Sequence, residues 1–159
     1  MWIDARSNVH PIHSSTDGVE GYVELELASD GGLDVAVSPT GELSLSVDRL
    51  SSGNRLEDRE LHKRIDSRRY PTILGVLKKM EPSGVEGTYM VSGDITFRGV
   101  SRQHEDLMNV SSVDGQTIQL EGRSRFDIRE FGMEPPRLLM ARVEPEVEVR
   151  IQIVAVKQS

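Results

Sequence analysis

Four histidines, 26 acidic residues and no cysteine bound the chemistry open to this 159-residue chain. His10 and His13, in His10-Pro11-Ile12-His13, are the one close histidine pair. A spacing of three in an extended segment sends the two rings to opposite faces, which disfavours a metal ion held by the pair with His62, His104 or a carboxylate. His10, His13 or His104 at the mouth of a cavity would have the chemistry of a general base. His62 and His104 otherwise read as solvated, one on a helix and one at a strand end. A serine nucleophile needs a strained, glycine-flanked turn, and no Gly-x-Ser-x-Gly sequence occurs. The spaced glycines of nucleotide-binding loops are missing too. Carboxylate pairs such as Glu57 with Asp58 and Asp127 with Glu130 suit salt bridging or solvation better than acid–base work in so acidic a chain. Without cysteine there is no disulfide, zinc thiolate, iron–sulfur cluster or thiol nucleophile. These residues commit the chain to no reaction; the expectation is a noncatalytic protein with no metal and no cofactor.

The elements that would position such groups follow from charge and periodicity. The 26 acidic residues outnumber 19 Lys and Arg, giving a net charge of -7 that repels phosphate backbones and anionic membranes. No apolar run approaches the roughly 18 residues that span a bilayer, and Met1 to Pro11 has no signal-peptide core. Neither nucleic acid nor stable membrane insertion is therefore expected, and the expected location is cytoplasmic, although an exported mature form would read the same. The length suits one domain over residues 1–159. Tyr22 to Leu27 alternates as a half-buried strand. Asp30-Gly31-Gly32 then turns into Leu33, Val35 and Val37, and Leu43, Leu45 and Val47 form a third strand. Asn54 to Arg69 changes rhythm: Leu61 and Ile65 stand four apart, Asn54 is a candidate cap, and Tyr70-Pro71 ends the segment. This predicts one short helix around residues 55–69. Thr72 to Leu77, Thr88 to Phe97, Glu105 to Val110, Thr117 to Ile128 and Glu144 to Val156 are further strands.

About eight strands with one-sided alternation predict an all-β fold, a closed antiparallel barrel, because closure removes exposed edges. A barrel of ~8 strands is either filled by its own side chains or holds one slender ligand. Leu43, Leu45, Val47, Ile118, Leu120, Val147, Val149, Ile151 and Ile153 make inward faces with almost nothing polar. Few aromatics and six methionines favour a cavity with adaptable walls over a self-filled core.

Trp2-Ile3-Asp4 with Ser7, Asp58-Arg59-Glu60-Leu61, Tyr70-Pro71-Thr72-Ile73, Gly93-Asp94-Ile95-Thr96-Phe97-Arg98-Gly99-Val100-Ser101-Arg102, and Phe126-Asp127-Ile128-Arg129-Glu130-Phe131-Gly132-Met133 follow one another along the chain. In that order they resemble motifs of the YceI-like family of polyisoprenoid-binding, lipocalin-like barrels. Beside the resemblance, Gly99 and Gly132 suit tight reversals, and Arg98 and Arg129 can donate to turn carbonyls or to a ligand head group. The resemblance implies an isoprenoid or fatty-acid-like lipid inside the barrel, bound for transport, storage or stress protection. Strand parity then makes Leu43, Leu45, Ile95, Phe97, Ile118, Leu120, Phe126 and Ile151 the ligand-binding wall. Two rival expectations stand beside this one. The first is a small hydrolase or isomerase with a histidine base at the barrel mouth; the second is an interaction module with a filled barrel, pairing as a homodimer through outer strand faces.

Overall fold

In the computed structural model, which describes residues 1–7, 12–26, 28–29, 33–34, 36–135, 137–138 and 141–157, the period-two stretches form antiparallel strands. These are β1 (Trp2–Ser7), β2 (Ile12–Ser15), β3 (Val19–Glu24), β4 (Thr40–Ser46), β5 (Thr72–Pro82), β6 (Thr88–Phe97), β7 (Val100–Ser112), β8 (Thr117–Asp127), β9 (Arg137–Leu138) and β10 (Ala141–Val156). Eight of them have six residues or more, as the alternation predicts. One sheet runs in the order β2-β1-β10-β8-β7-β6-β5-β4-β3, with β9 paired to β10. The sheet curls until β3 approaches β10. Among the described residues no ladder joins the edge strands β2 and β3, so the expected closed barrel is corrected to a curled half-barrel with a seam. The Met1 amine donates to the Thr16 carbonyl at 2.8 Å, and Thr16 N–H donates back at 3.0 Å, which extends the β1–β2 pairing one step beyond Trp2 and Ser15.

Two strands change register to keep their apolar side inward. In β5 the pairing with β6 shifts between Leu77 and Lys79, so Lys78 is an extra residue and the inward face passes from Leu77 to Met80. In β10 the pairing with β1 shifts between Val147 and Val143, where Pro145 sits. A proline has no N–H to offer a ladder, so an irregular stretch tolerates it.

Helix α1 (Arg55–Ile65) starts where Asn54 accepts from Leu56 N–H at 3.0 Å and its amide donates to Glu57 at 3.1 Å. It ends four residues short of the expected Arg69, because Asp66 turns left-handed at φ 60 and receives the Tyr70 N–H at 2.9 Å. The strand expected over Leu33 to Val37 is absent from the described part of that segment. Leu33 makes an isolated bridge, and the Asp34 carboxylate accepts Ala36 N–H at 3.0 Å, pulling the chain into a turn. Asp30-Gly31-Gly32 and Val35 lie outside the described residues. The first strand also begins earlier than Tyr22, at Val19, and Leu25 falls beyond its end.

Two apolar clusters occupy the interior. One gathers Val47, Ile65, Ile128 and Met133, with Phe97 and Val147 packed against them. The other gathers Met80, Tyr89 and Leu120, with Met108 and Ile153 against them. Phe97 and Phe126 both meet Phe131 edge-on, at 5.7 and 6.5 Å between ring centres.

Candidate functional site

The two clusters leave a cavity of about 390 Å³ whose wall draws on both of them. Its size lies within the ~300–1,000 Å³ common for small-ligand sites. Strand parity makes the wall. Leu43, Gly75 and Ile95 form one cross-strand row, and Val147, Val149, Ile151 and Ile153 present every second residue of β10. Glycine contributes the space itself: a Cβ added at Gly75 would meet nothing within 4 Å.

Seven of the eight residues predicted for the wall line this cavity, namely Leu43, Leu45, Ile95, Phe97, Leu120, Phe126 and Ile151. Ile118 does not. It shares parity with Leu120 but pairs with Ser112 and Ala155 at the far end of β8, beyond the cavity floor.

The wall also carries polar groups that the inward-face reading missed. His104 and Asp106, on β7, and Ser124, on β8, line the cavity together. His104 Nε2 lies 2.5 Å from Asp106 Oδ2 and 2.9 Å from Ser124 Oγ, and Ser124 Oγ–H donates to the same Asp106 oxygen. The His104 ring stacks on Phe126 at 4.3 Å. This corrects the solvated strand-end placement of His104, which sits in the interior of a longer strand. The signal was present: Met108 and Val110 alternate inward, and two further steps back along the same face reach Asp106 and His104. The trio has the residue types of a nucleophilic triad but not its geometry. Asp106 and Ser124 face the same ring nitrogen, so a proton held toward the carboxylate leaves no base at Nε2 for the serine.

Among the described residues the histidines supply no second centre. His62 Nε2 lies 3.3 Å from the Leu50 carbonyl and ties α1 to the preceding loop. His10, and the side chain of His13, lie outside the described residues. Among the described residues no three His, Asp or Glu side chains converge as metal ligands.

Charged groups from the recurring motifs brace the frame. Asp58 accepts from Ser52 N–H and Oγ–H, both at 2.7 Å, and from Ser51 Oγ–H at 2.9 Å. Burial pushes its carboxyl upward, but these bonds and nearby His62 outweigh that and hold it below the ordinary 3.8. The Ser51–Ser52 loop is thereby pinned to α1, whose Glu57, Glu60 and Leu61 reach the cavity wall. Arg98, itself left-handed at φ 50, donates to the Ile65 carbonyl at 3.3 Å and to the Gly132 carbonyl, joining the β6–β7 turn to both segments that cover that end. Asp127 caps the turn Ile128–Phe131 by accepting Arg129 N–H at 2.9 Å, and the Arg129 side chain holds its carboxyl below the usual range. Gly99 and Gly132 have φ 74 and 68, which glycine alone adopts without strain.

The YceI-like domain matches residues 4–155. Among solved structures, BcnA of Burkholderia cenocepacia superposes with a TM-score of 0.78 at 16% identity, over 98% of this chain and 96% of that one. The YCEI protein of Campylobacter jejuni gives 0.76 at 14% identity, covering 96% and 88%. A polyisoprenoid binding domain from Saccharophagus degradans gives 0.70 at 11% identity, covering 96% and 91%. At these identities the likeness carries the fold alone. Comparison with curated proteins returns no match.

Proposed function

Because the chain belongs to the YceI-like domain family, we propose that it is a noncatalytic carrier or store for one long apolar molecule, isoprenoid or fatty in character, held inside the half-barrel. The observation that carries this reading is the cavity of about 390 Å³ between two apolar clusters, walled by alternate residues of the sheet. Each buried methylene of a guest is worth about 0.8 kcal/mol, so a chain-like ligand gains affinity along its length without a charged anchor. The structural neighbour described as a polyisoprenoid binding domain supports the same class of guest. The seven wall residues are then the binding surface, with Gly75 supplying room for the chain.

Native mass spectrometry of protein purified without detergent tests the reading. A co-purifying species of several hundred daltons, displaced by added prenyl alcohol or fatty acid, is the expected result. Only apoprotein, together with no uptake of a neutral fluorescent apolar probe, would overturn it.

A further inference from the structure

The cavity wall is mostly apolar; besides scattered polar residues such as Ser44, Glu57, Glu60, Ser92, Asp94 and Arg123, it carries one cluster of side chains hydrogen-bonded to one another, where β7 faces β8. The ladder between these strands ends at Met108 and Gly122. Past that point side chains span the gap: Ser124 to Asp106, His104 to both, and the His104 ring against Phe126. Polar groups in an apolar wall cost free energy unless their hydrogen bonds are completed. The trio completes only part of its own capacity. Its internal bonds use Nε2, Oγ and Oδ2, while His104 Nδ1 and Asp106 Oδ1 have no hydrogen-bond partner among the described residues.

The chemistry of those two atoms is the same. With the ring proton on Nε2, shared with the carboxylate, Nδ1 of the neutral imidazole is an acceptor, and Oδ1 is an acceptor as well. A guest that pairs with either of them must bring a donor, and the single O–H of an alcohol or phenol supplies one. An ionised carboxylate or diphosphate brings acceptors only and sets its charge beside that of Asp106. A plain hydrocarbon leaves both atoms unpaired in the wall.

Building on the carrier reading, we propose that His104, Asp106 and Ser124 form a hydroxyl-selecting seat inside the cavity, so that the preferred guest is an apolar chain bearing a neutral hydroxyl group.

The test is competition at pH 8 against N-phenyl-1-naphthylamine bound to the full chain. The competitors are geranylgeraniol, geranylgeranyl diphosphate and the saturated hydrocarbon phytane. The expected result is that the alcohol displaces the probe about tenfold more tightly than either of the others, the worth of one hydrogen bond. In a His104→Val/Asp106→Leu double variant, checked for its β signature by circular dichroism, alcohol and hydrocarbon should converge. Equal competition by all three in the wild-type protein overturns the seat while leaving the carrier reading intact, and so does a preference for the alcohol that survives in the double variant. Failure of every competitor and of the probe itself to bind overturns the carrier reading instead. Should the double variant not fold, the wild-type ranking alone decides, and Asp106→Leu alone supplies the milder check: it removes the carboxylate acceptor without supplying any polar group, so the advantage of the alcohol over phytane should fall.

Discussion

Gly75 leaves space that any larger residue would take, since a Cβ added there meets nothing within 4 Å and its row neighbours Leu43 and Ile95 line the cavity. Gly75→Leu should therefore weaken binding of an apolar probe by about tenfold or more, while the filled space raises folding stability by roughly 1 kcal/mol. Probe titration and thermal melts of the same sample read both effects. Arg98 makes the opposite case, a residue whose loss damages the frame. Removing its bonds to Ile65 and Gly132 in Arg98→Ala should cost about 1–3 kcal/mol in denaturant unfolding. Arg98→Gly should cost about 1 kcal/mol less, because glycine adopts φ 50 freely. At this scale the sequence was legible where parity was regular: seven of eight wall residues follow from alternation. Ile118 escaped because parity gives the face of a sheet and not the depth of a cavity along it. His104 and Asp106 escaped because inward positions are read as apolar, and a polar residue at one interrupts the pattern that reveals the strand.

At helix α1 one carboxylate ties the first turn to the loop before it. Asp58 is held below the ordinary value, so the folded state binds its proton less readily than the unfolded chain. The stability it contributes is complete above about pH 4 and is lost as pH falls through the depressed folded value. Asp58→Asn should remove roughly 1 kcal/mol at pH 7, a modest figure because solvent screens the partly exposed group, and should flatten the acid limb of stability against pH. Urea midpoints from pH 2 to 7 for the two proteins make the comparison; parallel curves would contradict this role. The helix start was legible in Asn54, but its stop was not, since Asp66 is not a residue type that announces a left-handed turn. The unformed strand at Leu33 to Val37 had correct alternation, and one Asx turn at Asp34 prevailed over it. β1 and β2 gave little warning because their alternation is short and their outward residues include Trp2.

For the whole molecule, the decisive feature is that two clusters pack the interior and space remains between them. Composition anticipated this only as a leaning, through few aromatics and many methionines, because the balance between a filled and a hollow interior depends on the shear and curl of the sheet, which no local pattern encodes. Closure was over-read for the same reason: pairing of edge strands far apart in the chain is a property of the assembled sheet. No helix among the described residues is long and apolar enough to cross a membrane. The most direct measurement is a crystal structure of the protein grown with geranylgeraniol. The account predicts continuous, elongated density between Leu43, Ile95 and Ile151, with its oxygen beside His104 and Asp106. A cavity holding ordered water alone, or closed by inward rotation of its own side chains, would contradict it.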